Sequence, residues 1–214
     1  HTDFPDLLSK VAKKLKIQKF IHLSSLGIEN AIDSNYANSK LEGEKKIKEN
    51  FENSFILKPS VVYSVDDNFT TRFMTLLSRL PIMPLYYNGN TKFNPIHVTD
   101  LVKIIFNVVE IKDKNLVLEC VGPETLTFKE IIKKLLNSIQ KKRILIPLPT
   151  QIAKISAKIL QILPNPLLTE DQLRLLKYDN IKTGLHKTNF EMGIEISKNF
   201  DTEINKYSYN WTTG

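Results

Sequence analysis

Apolar residues recur at helical spacing from the first positions. Phe4, Leu7, Leu8, Val11, Ala12 and Leu15 fall on one face of a helix that Asp3 can cap, with Pro5 tolerated in its first turn. A short apolar run, Lys19-Phe20-Ile21-His22-Leu23, then reads as a buried strand ending at Ser24-Ser25. A polar loop leads into a helix over about 36–49, and Phe55-Ile56-Leu57 forms the next strand, stopped by Pro59. Helices alternating with apolar strands predict an α/β fold built on a parallel sheet.

Past Asp66 the pattern loosens. A helix is expected over 69–80, after which Pro81, Pro84 and Asn88-Gly89 interrupt the chain. Thr99 or Asp100 is placed to cap a strongly apolar helix ending near Glu110, and 115–121 reads as a strand closed by Gly122-Pro123. Thr127 with Glu130 forms a capping box for a helix to about Gln140; Thr150 opens another helix, and Thr169 with Gln172 a third. No internal repeat or low-complexity linker is visible. The division expected is the C-terminal part of a nucleotide-binding sheet over 1–66, with 97–111 packing back on it, and a smaller, mostly helical domain over 67–214. The chain opens at His1 on a helix with a finished apolar face, and the expectation is that part of the fold precedes it.

Composition narrows this only slightly. The 42% hydrophobic content suits a globular domain, and its longest apolar stretches, such as 101–110, are too short to span a bilayer. A lone cysteine, Cys120, excludes an internal disulfide framework and suits a reducing, intracellular setting. The net charge of +7 comes from scattered lysines, which read first as solvated helix faces and second as attraction to anionic lipid headgroups or an acidic partner. No nucleic-acid-binding module accompanies the charge, so nucleic acid is not an expected partner.

The chemistry concentrates at Ser24-Ser25 and at Tyr36-Ala37-Asn38-Ser39-Lys40. Tyr and Lys four apart on a helix share a face, one turn apart. An ammonium beside the phenol would favour phenolate and lower the tyrosine pKa, while a strand-end serine could orient a carbonyl. Such a set moves protons in hydride chemistry at a carbonyl or alcohol. Taken alone, Tyr-x-x-x-Lys is a weak signal in a lysine-rich chain; its position between Ser24-Ser25 and Lys58-Pro59-Ser60-Val61-Val62-Tyr63 gives it weight. His22 reads as a packed histidine and His97 as a local hydrogen-bonding group, and no metal site has credible spacing.

In this combination the sequence resembles the extended and atypical short-chain dehydrogenase/reductases, the NAD-dependent epimerase/dehydratase group. The resemblance covers the whole chain and extends to Pro95-Ile96-His97-Val98-Thr99-Asp100. It implies Ser25, Tyr36 and Lys40 as catalytic residues. It further implies Ser24, Tyr36, Lys40, Pro59, Ser60, Val61 and Val62 as cofactor-binding, with Lys40 on the nicotinamide ribose and Pro59 to Val62 as the nicotinamide wall. Three departures stand out: Ser64 replaces the glycine after Val62-Tyr63, Lys58 replaces an arginine, and ten residues separate Ser25 from Tyr36. So short a substrate loop argues against a nucleotide sugar. No glycine-rich phosphate-binding turn follows a first strand, so the N-terminal glycine-rich half of the fold is absent from this sequence.

A narrower resemblance rests on four stretches: Asp67-Asn68-Phe69 with Arg72-Phe73; Leu80-Pro81 with Pro84-Leu85; Asn88-Gly89-Asn90-Thr91-Lys92-Phe93-Asn94-Pro95; and Pro166-Leu167-Leu168-Thr169-Glu170-Asp171-Gln172-Leu173 with Leu176 and Asp179-Asn180. These look like the NAD(P)H-binding accessory subunit of respiratory complex I and its bacterial homologues. This resemblance implies a structural NAD(P)H, other complex I subunits as partners, and a peripheral place on the inner, cytoplasmic or matrix, face of the respiratory membrane, with contact to its anionic surface. The alternative is a working NAD(P)-dependent oxidoreductase or epimerase with Tyr36 as acid/base. A cofactor-free assembly factor is a third reading.

Overall fold

The computed structural model describes residues 2–112, 115–148 and 169–212. The chain opens with α1 (Asp3–Lys14), β1 (Phe20–Leu23), α2 (Asn35–Asn50) and β2 (Ser54–Pro59). All of β2 is buried, as a strand covered on both faces must be. β1 and β2 pair in parallel, with Leu23 opposite Leu57. Two later strands join them: β7 (Leu116–Cys120) beside β2, then β10 (Lys187–Thr188), in the order β1-β2-β7-β10. The sheet therefore draws strands from the part of the chain expected to form the second domain.

Between β2 and β7 run β3 (Val62–Tyr63), α3 (Thr70–Arg79), β4 (Ile82–Tyr86), β5 (Lys92–Phe93), β6 (Ile96–His97) and α4 (Val98–Glu110). Leu101, Ile104 and Val108 of α4 pack on Phe55, Leu57 and Leu118 of the sheet. The cap of α4 is His97, whose side chain accepts from the Thr99 backbone N–H, rather than Thr99 or Asp100. Lys19, just before β1, closes the other end of α4 by donating to the Val108, Val109 and Ile111 carbonyls at 2.9, 2.5 and 2.6 Å. Gly122, after β7, has no room for a side chain, since a Cβ there would lie 1.7 Å from the Pro95 carbonyl oxygen.

A second core gathers Phe73, Met74 and Leu77 of α3 with β8 (Leu126–Thr127), α5 (Phe128–Ser138) and α7 (Phe200–Asn205). The Thr127–Glu130 box opens α5 as its spacing predicts. Pro81 directly follows the end of α3, whose C-cap is Leu80, as expected, but Pro84 does not end regular structure: β4 carries it and pairs in parallel with β9 (Ile144–Leu148) in a two-stranded sheet, where a missing donor is tolerated. The helix expected from Thr150 lies outside the described residues.

Of the stripe expected to be the core face of α1, Ala12 is buried and the bulky residues are uncovered. The helix packs on α2 through Pro5, Ser9 and Ala12, leaving Phe4 68% and Leu15 66% exposed. α4 likewise exposes Val102, Phe106 and Val109. Among the described residues, β1 pairs with β2 alone and is an edge of the sheet. No helix of the described residues is long and apolar enough to cross a membrane.

Candidate functional site

The parallel pairing of β1 and β2 sends both strand ends to the same side of the sheet, the side where open α/β sheets bind ligands. Ser24 and Ser25 leave β1 there, and Pro59 to Val62 leave β2. The two runs stay bonded, Ser24 N–H to the Leu57 carbonyl at 2.8 Å and Leu26 N–H to the Pro59 carbonyl at 2.9 Å. α2 starts beside them, capped by Ser34, whose hydroxyl accepts from the Ala37 N–H at 3.2 Å.

Tyr36 in the first turn of α2 reaches back to Ser25, and the two side chains are hydrogen-bonded. One turn on, the Lys40 ammonium lies 5.8 Å from the Tyr36 ring centre and donates to the Leu23 carbonyl at 3.0 Å. Helix spacing thus brings Ser25, Tyr36 and Lys40 to one strand end. The electrostatics differ from the expectation. Burial raises the Tyr36 pKa, opposed by the Ser25 hydrogen bond, and burial lowers that of Lys40, opposed by Glu44. The phenol is not depressed, because desolvation outweighs its neighbours.

Beneath these groups lies a buried charged cluster. Lys58 of β2, 2% exposed, pairs with Glu29 and, at 3.0 Å, with Glu44 of α2; Glu44 in turn accepts from the Ser24 hydroxyl. Glu44 stands one turn beyond Lys40, so Tyr36, Lys40 and Glu44 form a single helical row. That spacing was the available signal for Glu44, and the sequence reading passed over it.

Residues 169–180 close the site from the far side. Thr169 and Gln172 form their capping box at the start of α6 (Glu170–Leu175). Asp171 of this helix accepts from the Asn35 and Tyr36 N–H groups, at 2.9 and 3.0 Å, and from the Ser34 hydroxyl at 3.0 Å. Two backbone donors at the start of α2 are thereby satisfied by a carboxylate 135 residues away along the chain. Asn180 ties the other wall. Its carbonyl oxygen Oδ1 accepts from the Ser60 hydroxyl at 2.6 Å and the Val61 N–H at 2.9 Å, and its amide donates to the Leu26 carbonyl at 2.5 Å. Gly27 admits this strap: its φ is +75°, and a Cβ would lie 2.8 Å from the Asp179 carbonyl oxygen. Asp171 and Asn180 fall in a stretch that carries the narrower resemblance, but nothing local marks their role, because their partners are remote in sequence.

Between the walls lies an open cavity of about 660 Å³ bordered by Ser24, Ser25, Tyr36, Pro59, Ser60, Val61 and Val62 on one side and by α3 and the strap on the other. Lys40 stands behind this lining. The two other tempting groups lie elsewhere. His22 is partly buried in β1 with its Nε2 unpartnered and its pKa pushed down to about 4 by burial, and Cys120 is buried with its pKa pushed up to about 12. Among the described residues no group of three metal-ligating side chains comes together.

Sheet order and strand-end geometry define the class: a Rossmann-type α/β fold of the kind found in NAD-dependent epimerases, dehydratases and related reductases. Bacillus cereus UDP-glucuronic acid 4-epimerase, solved in complex with UDP-glucuronic acid and NAD, superposes with a TM-score of 0.67 at 17% identity, over 99% of this chain and 66% of its own. Citrobacter sp. triphenylmethane reductase gives 0.71 at 15% identity, over 95% and 69%. At these identities the likeness fixes the fold.

The relatives in sequence are subunits of one respiratory enzyme. The mitochondrial NADH dehydrogenase [ubiquinone] 1 alpha subcomplex subunit 9 of Dictyostelium discoideum is 28% identical over 170 residues, 77% of this chain and 48% of the relative. The mitochondrial NADH-ubiquinone oxidoreductase 40 kDa subunit of Neurospora crassa is 24% identical over 198 residues, 91% and 52%. The chain spans about half the length of the curated relatives it matches. No protein-family profile matches it.

Proposed function

We propose that this chain is the cofactor-facing part of an NAD(P)H-binding subunit of respiratory NADH:ubiquinone oxidoreductase, complex I, in which the cofactor serves mainly as structure. The observation that carries the reading is the convergence of Ser25 and Tyr36 with Pro59 to Val62 on one cavity, with Lys40 beside Tyr36 behind its lining, in a chain whose relatives are named as subunits of that enzyme. The cavity fits the nicotinamide end of a dinucleotide. Pro59 to Val62 and Ser24 form a wall for the ring, and Tyr36 and Lys40 stand where the ribose would be held. The bound nucleotide would supply hydride chemistry. The Ser25–Tyr36 pair supplies hydroxyls at the ring's edge, and burial keeps the Tyr36 phenol protonated.

The phosphates would need a helix N-terminus with a glycine turn, and the 214 residues carry no such sequence. The open edge of β1, flanked by the exposed faces of α1 and α4, is where further strands and helices of the subunit would add. The partners are other complex I subunits. The place is peripheral on the inner face of the respiratory membrane, where a charge of +7 suits an anionic surface.

The test is purification of the full-length subunit from respiratory membranes with bound nucleotide identified by mass spectrometry. We expect NAD(P)H in near-stoichiometric amount and co-migration with complex I on native gels. A nucleotide-free protein absent from the complex refutes the reading. A second reading, a working oxidoreductase or epimerase, is favoured by the Ser25–Tyr36 bond beside Lys40. It requires turnover, and a fall of about a hundredfold or more in Tyr36→Phe.

A further inference from the structure

The cavity is wider than a nicotinamide ring requires, and the chemistry of its remaining wall is uneven. Away from Pro59 and the serines it is lined by Ile28, Phe69, Phe93, Leu175 and Leu176, with Val61 between the two sides. Several polar groups on this wall are already bonded within the protein. The Asp171 carboxylate is held by the start of α2, and the Asp179 Oδ1 accepts from the Lys92 N–H at 2.8 Å. Gln172 accepts from the Thr169 N–H at 3.0 Å, and the Asn180 side chain is spent on Leu26, Ser60 and Val61. Asn68 lies exposed at the rim.

Charge points the same way. Among the described residues that line the cavity, Asp171 and Asp179 contribute two carboxylates and Arg72 one guanidinium. A diphosphate would meet more negative than positive charge there. A polyhydroxylated sugar would bury hydroxyls against Phe and Leu, each weakening binding by roughly tenfold or more when left without a partner. The polar feature at the floor is the Ser25–Tyr36 pair.

We propose that this chamber binds a neutral, largely apolar carbonyl compound, its oxygen at the Ser25 and Tyr36 hydroxyls and its body against Phe69, Val61 and Leu175. The proposal rests on the nucleotide reading, which assigns the opposite flank of the same cavity to the nicotinamide. A volume of about 660 Å³ accommodates both, within the range of roughly 300–1,000 Å³ usual for small-molecule sites.

The test uses full-length protein, with NADPH binding followed by nicotinamide fluorescence and ligand binding by calorimetry. The probes are 2-acetylnaphthalene, a neutral aromatic ketone, and UDP-glucose. We expect the ketone to bind at least tenfold more tightly than UDP-glucose. Phe69→Ala should weaken the ketone about tenfold without changing NADPH affinity. Val61→Thr, which exchanges a methyl for a hydroxyl at almost constant volume, should weaken it severalfold, with the fold checked by thermal unfolding. Tighter binding of UDP-glucose, or no ketone binding at millimolar concentration with NADPH still bound, overturns the proposal and leaves the nucleotide reading standing. Ketone binding with the same variant pattern in a protein that binds neither NADPH nor NADH supports the ligand class and overturns the nucleotide reading. Loss of both overturns both.

Discussion

Removing the Asp171 carboxylate tests whether the strap positions the tyrosine helix. In Asp171→Ala the Asn35 and Tyr36 N–H groups and the Ser34 hydroxyl lose their shared acceptor. Asn35 is exposed and takes water in exchange, whereas the Tyr36 bond is partly buried and is the larger loss. Ser34 still caps through the Ala37 N–H, so the helix keeps one of its two caps. Loss of a helix cap costs about 1 kcal/mol, and hydrogen bonds to a charged group run somewhat higher, so we expect a loss of about 1–2 kcal/mol. For a chain of this size that lowers Tm by roughly 2–8 °C. Asp171→Asn keeps one acceptor oxygen and should recover about half. The assay is urea unfolding of the three proteins, with hydrogen exchange read at residues 34–37. We expect faster exchange there in Asp171→Ala, while the Phe73–Phe128 core is unchanged. Unaltered exchange at 34–37, with stability within about 0.3 kcal/mol of the parent, would show that the helix start does not depend on the strap.

Lys58→Met leaves Glu29 and Glu44 facing each other without their cation and should cost about 3–5 kcal/mol, whereas Lys58→Met with Glu44→Leu should regain most of it; equal losses in the two proteins count against a coupled cluster. His22 titrates near 4 when folded, against an ordinary value of 6.5, so between these limits the unfolded chain binds the proton more readily and stability falls as pH falls. The loss, allowing for partial exposure, is about 1–3 kcal/mol; His22→Leu should flatten the slope over that window, and an unchanged slope refutes the assignment. Gly27→Ala forces a side chain into a left-handed conformation against the Asp179 carbonyl and should cost about 2–3 kcal/mol by thermal unfolding, where a neutral result would mean the loop can shift away from the strap.

Much of the frame was legible from local pattern. The apolar strands Phe20–Leu23 and Ser54–Pro59, the Tyr36 helix between them and the boxes at Thr127 and Thr169 follow from period, caps and turn residues, which act over a few positions. The placement of Ser25, Tyr36 and Lys40 at one strand end also follows, because a parallel βαβ unit returns each strand end to the same side. Period alone could not assign α1. Its bulky stripe reads as a core face, yet the small side of Pro5, Ser9 and Ala12 is what packs on α2, since only small residues let two helices approach there.

The rest depended on contacts between segments distant in the chain. β7 and β10 enter the sheet from beyond residue 115, His97 rather than Thr99 caps α4, and Pro84 sits in a strand because β9 arrives beside it. The electrostatics were likewise a tertiary matter. A Tyr–Lys pair on a solvated helix would favour phenolate, but burial raises the phenol and lowers the ammonium, and burial is not a property of four residues. The sequence by itself determined which side chains meet at the strand ends. Only the tertiary structure decided that Asp171 and Asn180 hold them there, because a hydrogen bond across 119 or more residues is chosen by the fold and leaves no mark on local spacing.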